Sequence, residues 1–175
     1  MNAKPADDGG SRQTSGRLKK QVLIVDDDAP VRDAIGSVLQ KAGYDVLQAG
    51  DGEQALAEFD SKQIDLVLLD LGLPNKSGWD VFEGFTSRNP TLPIIIITGQ
   101  ARQSEMAVAA GVGALMEKPL DAAQLLQTMH DLLIETEEDR LRRLCGYSRD
   151  VRYIPMVPRY IRPGASTGLA NYKPK

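Results

Sequence analysis

A chain of 175 residues, 42% of them hydrophobic, is long enough for one domain of roughly 100–150 residues plus tails. It has no apolar run near the roughly 18 residues needed to span a bilayer, and residues 1–20 (MNAKPADDGGSRQTSGRLKK) lack the apolar middle of a secretory signal, so a soluble, cytoplasmic protein is expected. The net charge of −3 hides an acidic middle, with 18 acids against 7 bases in residues 21–135, between basic flanks of 5 against 2 and 9 against 4, and the lone Cys145 excludes an internal disulfide.

Residues 1–19, with Pro5, Gly9, Gly10, Ser11, Ser15 and Gly16 and few apolar side chains, read as a flexible basic leader. Strand and helix patterns then alternate five times. Val22 to Val25 form the first strand. Asp28 caps the first helix, Pro30 suits its first turn, and Val31, Ile35, Val38, Leu39 and Ala42 line one face until Gly43 stops it. Tyr44 to Ala49 form the second strand, and Asp51 caps a helix that buries Ala55, Leu56 and Phe59. Ile64 to Leu69 form the third strand, apolar except for Asp65, as expected where helices cover both sheet faces.

The turn-rich loop LGLPNKSG follows, then a helix with Trp79, Phe82 and Phe85 facing inward. Pro93 to Ile97 form the fourth strand, residues 103–110 a short fourth helix, and Ala114 to Glu117 the fifth strand. A last helix starts at Leu120, and residues 121–144 suit one continuous helix. With right-handed crossovers this order gives an α/β fold: a doubly wound five-stranded parallel sheet in the flavodoxin-like order 2-1-3-4-5, with helices on both faces.

Four strands end in polar groups at the same carboxyl edge: Asp26 and Asp27 after the first, Asp70 after the third, Thr98 after the fourth, Lys118 after the fifth. Open α/β sheets bind ligands at that edge, at the switch point between strands 1 and 3. Strands about 4.8 Å apart let the acids share one small cation, and Lys118, roughly 10 Å from strand 3, reaches Asp70 by its long side chain. Clustered carboxylates repel one another and suit a hard cation such as Mg²⁺. A carboxylate also serves as a phosphoryl nucleophile, with a cation and a lysine stabilising the transferring oxygens. Asp27 and Asp70 are therefore expected to ligate Mg²⁺ with the backbone carbonyl of Gly72, Asp26 to act through water or by positioning, and Thr98 to donate to the new phosphoryl group.

The segments VLIVDDD, LVLLDLGLPNKSGWD, IIIITG and EKP resemble, in order and spacing, the receiver domain of two-component response regulators. The match covers residues 21–135. It implies phosphorylation of Asp70 by a sensor histidine kinase or histidine phosphotransfer protein, Asp26 and Asp27 as the acid pocket, and Thr98 and Lys118 as switch residues. It further implies readout by a protein partner at the surface of the fourth helix, fifth strand and fifth helix, and a signalling protein that assists only its own phosphorylation and dephosphorylation rather than an enzyme. In this family a cis bond can precede the proline at position 119. Two positions depart from the pattern: Leu115 stands where the family usually has Tyr or Phe, and Gly72 offers no side chain to orient an attacking water.

The remaining candidates read as structural: Asp28 as a cap, Trp79 as packing, His130 as a surface residue, Cys145 as an inert thiol. The domain plan is a leader (1–19), a receiver (20–135), and a helix extension with a basic tail (136–175) that carries no output-domain pattern. In that tail Tyr147, Tyr153, Tyr160 and Tyr172 alternate with Arg149, Arg152, Arg159 and Arg162. It reads as disordered or domain-hugging, as a partner-docking peptide, or as an arm binding nucleic acid through Arg charge and Tyr stacking. The competing functions are a receiver whose basic tails bind nucleic acid and a degenerate receiver serving as a scaffold.

Overall fold

The computed structural model describes residues 19–74, 76–99, 110–145 and 152–154. Strands β1 (Gln21–Val25), β2 (Asp45–Ala49), β3 (Leu66–Asp70), β4 (Ile94–Thr98) and β5 (Ala114–Glu117) alternate with helices α1 (Ala29–Lys41), α2 (Gly52–Ser61) and α3 (Gly78–Arg88). Helices α4 (Ala122–Ile134) and α5 (Glu137–Leu144) and a short strand β6 (Arg152–Ile154) follow. The expected helix at 103–110 falls on residues of which 103–109 lie outside those described, as do the leader up to residue 18 and most of the tail.

Local signals set the boundaries. Asp28 starts α1 by accepting the Val31 N–H, Asp51 starts α2 through Gln54, Ser77 starts α3 through Trp79, and Asp121 starts α4 through Gln124; each side chain takes a donor that the first turn leaves unpaired. Gly43 follows α1 at φ +93°, a conformation that disfavours any side chain. Just before β3 the Asp65 carboxylate accepts the Gln21 N–H and pairs with Lys20, while its own N–H donates to the Gln21 carbonyl.

The sheet order is β2-β1-β3-β4-β5-β6 and every pair is parallel. The first five strands thus take the expected order 2-1-3-4-5. One face packs Val25, Leu69, Ile96 and Leu115 against Ala55, Val81, Phe82 and Phe85 from α2 and α3. The other packs Ile24, Leu68, Ile97 and Met116 against Ile35 and Leu39 of α1 and Leu125, Met129 and Leu132 of α4. Strands buried on both faces explain the continuous apolar runs LVLL and IIII.

Two expectations are corrected. The single helix over 121–144 is broken at Glu135 and Thr136, because Thr136 opens a new helix: its hydroxyl accepts the Asp139 N–H, as a helix-capping side chain does, and donates to the Asp139 carboxylate. Arg140 ties α5 back by donating to the carbonyls of Thr91 and Leu132. The sheet, expected to have five strands, gains a sixth from the tail: β6 pairs along β5.

Gly78 fixes the loop after β3. A Cβ there would lie 2.5 Å from Leu71 Cα and 2.8 Å from the Asp70 carbonyl oxygen, backbone atoms that cannot move aside cheaply. Gly78→Ala is expected to destabilise the fold by about 1–3 kcal/mol, the usual cost of overpacking. Urea unfolding measures it, and an unchanged midpoint would contradict the close approach.

Candidate functional site

The carboxyl edge of the sheet gathers the residues that the sequence singles out. Asp26 follows β1 and Asp70 ends β3, and both are almost fully buried at 1% and 7% exposure; Asp27, one residue on, faces solvent. One carboxylate oxygen from each of Asp26, Asp27 and Asp70 can be chosen so that all three lie within 4.8 Å of one another. The order β1-β3 that makes the third strand neighbour the first is what brings them together.

Lys118 closes the cluster from the other side. Its Nζ donates to Asp26 Oδ2 at 2.7 Å and to Asp70 Oδ2 at 2.6 Å, so it reaches Asp70 as expected and Asp26 as well. A buried carboxylate without a partner costs several kcal/mol, and one ammonium here serves two. Burial pulls the lysine's pKa down, but the hydrogen bonds and charges of Asp26 and Asp70 outweigh it and hold the group above its ordinary value. Lys118 is therefore charged throughout the neutral range.

Backbone donors complete the arrangement. Asp26 Oδ1 accepts the Asp28 N–H at 2.9 Å and Asp70 Oδ1 accepts the Gly72 N–H at 2.9 Å. Thr98, buried at the end of β4, lies one residue beyond the partner of Asp70 in the β3–β4 register. Its carbonyl accepts the Lys118 N–H at 2.9 Å, which anchors the lysine backbone at this edge. The Lys118–Pro119 bond is cis. His130 is exposed, and Trp79 packs edge-on against Phe82, both as expected.

Sequence reasoning missed Arg32. Its guanidinium donates to the Asp26 carbonyl at 2.5 Å and stands 3.5–3.6 Å from where a Cβ on Gly50 would be. This second cation pins the peptide that leads from Asp26 to Asp27. The signal was available: Arg32 lies one turn past the Asp28 cap, on a helix that starts directly after the acids.

The oxygen-only cluster fits a hard cation that takes oxygen ligands at roughly 2.0–2.1 Å and keeps several waters. The charge balance fits too, because three carboxylates against Lys118 leave the pocket negative.

A family model for the response regulator receiver domain matches residues 22–130. The sensory transduction protein RegX3 of Mycolicibacterium smegmatis is 36% identical over 114 residues, 64% of this chain and 50% of that protein. A CheY-like receiver domain protein from Methanospirillum hungatei superposes with a TM-score of 0.63 at 28% identity, covering 71% of this chain and 98% of that one. The response regulator TrrA from Thermotoga maritima, solved in complex with Mg²⁺ and BeF, superposes at 0.60 with 30% identity, covering 65% and 98%. The chain spans about half the length of the curated relatives it matches.

Replacing Lys118 by Met leaves two buried carboxylates facing each other. Lys118→Met is expected to destabilise the protein by about 3 kcal/mol, the scale for breaking a buried pair. Adding Asp70→Asn in the same chain should recover part of that loss. Calorimetry of the four proteins in the cycle checks this; additive effects of the two substitutions would rule out the coupling.

Proposed function

The chain belongs to the response regulator receiver family, and on that premise we propose that Asp70 accepts a phosphoryl group from a sensor histidine kinase or a histidine phosphotransfer protein, with Mg²⁺ as cofactor. The observation that carries the reading is Lys118 held between Asp26 and Asp70 at 2.7 and 2.6 Å, with the exposed Asp27 beside them. Residues 20–135 form the receiver unit.

In this reading an oxygen of the Asp70 carboxylate attacks phosphorus, a new P–O bond forms, and the bond from phosphorus to the donor's nitrogen or oxygen breaks. The donor leaves with the electron pair of that bond. Asp27 and Asp70 would hold Mg²⁺ with the Gly72 carbonyl, while Asp26, immobilised by Lys118 and the Asp28 N–H, positions rather than ligates. When bound, the cation supplies charge that stabilises the transferring oxygens. Lys118 does the same from the opposite side. Thr98 donates its hydroxyl to the phosphoryl oxygen once that group is present.

The product is an acyl phosphate that adds charge of roughly −1.5 to −2 at the sheet edge. Repositioning of Thr98 and Lys118 toward that charge would alter the surface around β5 and α4, where a downstream protein partner reads it. The protein is thus a signalling phosphoacceptor that assists only its own phosphorylation and dephosphorylation. The solved relative complexed with Mg²⁺ and BeF supports the cofactor assignment.

Incubation of the full chain with acetyl phosphate and Mg²⁺, followed by borohydride trapping and mass spectrometry, should place one modification at Asp70. Label persisting undiminished in Asp70→Asn would sink the assignment.

Mg²⁺ affinity is expected to fall about tenfold or more in Asp27→Asn and less in Asp26→Asn, because direct ligation outweighs contact through water. Titration calorimetry decides between them. Equal affinities of Asp27→Asn and the unaltered chain would exclude the proposed ligand set.

A further inference from the structure

β5 would be the last strand of a five-stranded sheet, yet Ala114, Leu115 and Met116 are at most 1% exposed. An edge stretch this apolar, with its only charge at the last residue, Glu117, presents unpaired backbone groups to any other chain. What stands beside it is β6, with Arg152 opposite Ala114, Tyr153 opposite Leu115 and Ile154 opposite Met116. Ile154 is half-buried against the cluster that contains Met116, Leu125 and Met129. The strand itself is only three residues long, so few backbone bonds hold it and it belongs at the weak end of the molecule's local stabilities.

We infer that the β5 edge is a strand-acceptor site whose occupant is this chain's own residues 152–154, a releasable internal ligand that places a branched apolar residue opposite Met116. Strand addition of this kind takes affinity from main-chain bonds and selectivity from alternate side chains. In this register the selective positions are those on the Met116 face.

The chain geometry assigns the strand to its own molecule. α5 ends against the turn before β5, since a Cβ on Gly111 would lie 3.2 Å from Leu144 Cδ2. From there to Arg152, opposite Ala114, is at most three extended residues along and one strand spacing across, about 11 Å. The seven steps from Cys145 to Arg152 can reach about 23 Å, more than that span requires. A tether this short holds the segment at an effective concentration on the order of millimolar. A competitor therefore sees only the fraction of molecules in which β6 is released, and its apparent affinity falls by that fraction.

None of this depends on phosphoryl chemistry at Asp70, and the test needs none. The N–H of Lys118 points to β4; by alternation that of Met116 does too, while that of Leu115 points to β6. In full-length Ile154→Asp, amide exchange at Leu115 should accelerate about tenfold or more while Met116 keeps its protection. Ile154→Val should behave as the unaltered chain, and Ile154→Ala replaces the Asp variant if that fails to fold. A fluorescent peptide of residues 150–156 should bind Ile154→Asp about tenfold more tightly than the unaltered chain. Three results would overturn the inference: Leu115 exchange unmoved by either substitution, equal peptide affinity for both proteins, or Leu115 protection that grows with protein concentration, which would assign the strand to a second copy.

Discussion

Two nearly buried carboxylates held within hydrogen-bonding reach of one ammonium set the terms for the rest of the molecule. Asp26 and Asp70 lie at the end of strands that are otherwise apolar except for Gln21, where an unpaired charge would be costly. Lys118 can satisfy both only if β5 lies two strand spacings from β3, with β4 between them, and if all strands point the same way. Parallel strands need crossover connections, and crossovers cover both faces. The two apolar clusters that α1 and α4, and α2 and α3, build on the sheet are thus the means by which four polar groups meet at one edge.

Within that edge, burial divides the labour. Asp26 is fixed by the Asp28 N–H, by Lys118 and, through its carbonyl, by Arg32; a group with so many partners can orient its neighbours but has little freedom to exchange ligands. Asp27 is exposed and one peptide away, which gives a carboxylate the freedom to trade water for a cation. Asp70 combines the two conditions. Gly72 and Lys118 hold its two oxygens, while its residue retains some access to solvent. In the proposed reaction a nucleophile needs that compromise, because complete burial would bar the donor and full exposure would lose the positioning.

Much of this was legible in the sequence because it rests on short-range rules. The runs VLIV, LVLL and IIII announce strands covered on both sides, and Asp28 and Asp51 announce helix starts by capping. The polar residues that end the strands then converge by topology alone. What escaped depended on competition between local signals or on long-range pairing. The leucine spacing of 121–144 concealed a second helix start, although Thr136 and Asp139 carried the capping pattern. Arg140, whose contacts are to Thr91 and Leu132, gives no periodic signal. The strand Arg152–Ile154 is three residues in a proline-rich tail, and only the unprotected edge of β5 made a partner necessary. Arg32 was hidden by its ordinary place on an amphipathic helix.

β5 carries both stories. Its carboxyl end supports Lys118, whose backbone N–H is tied to Thr98, and its flank supports β6. Leu115 is fully buried in the cluster that includes Val112, Ile94 and Ile96, and a packed leucine has no hydroxyl to swing between buried and exposed partners. The strand whose carboxyl end leads into Lys118 is the strand on which residues 152–154 pair, so the acid cluster and the tail strand share four residues of main chain. A free-energy coupling between two sites that share a strand in this way would be reciprocal by thermodynamic necessity.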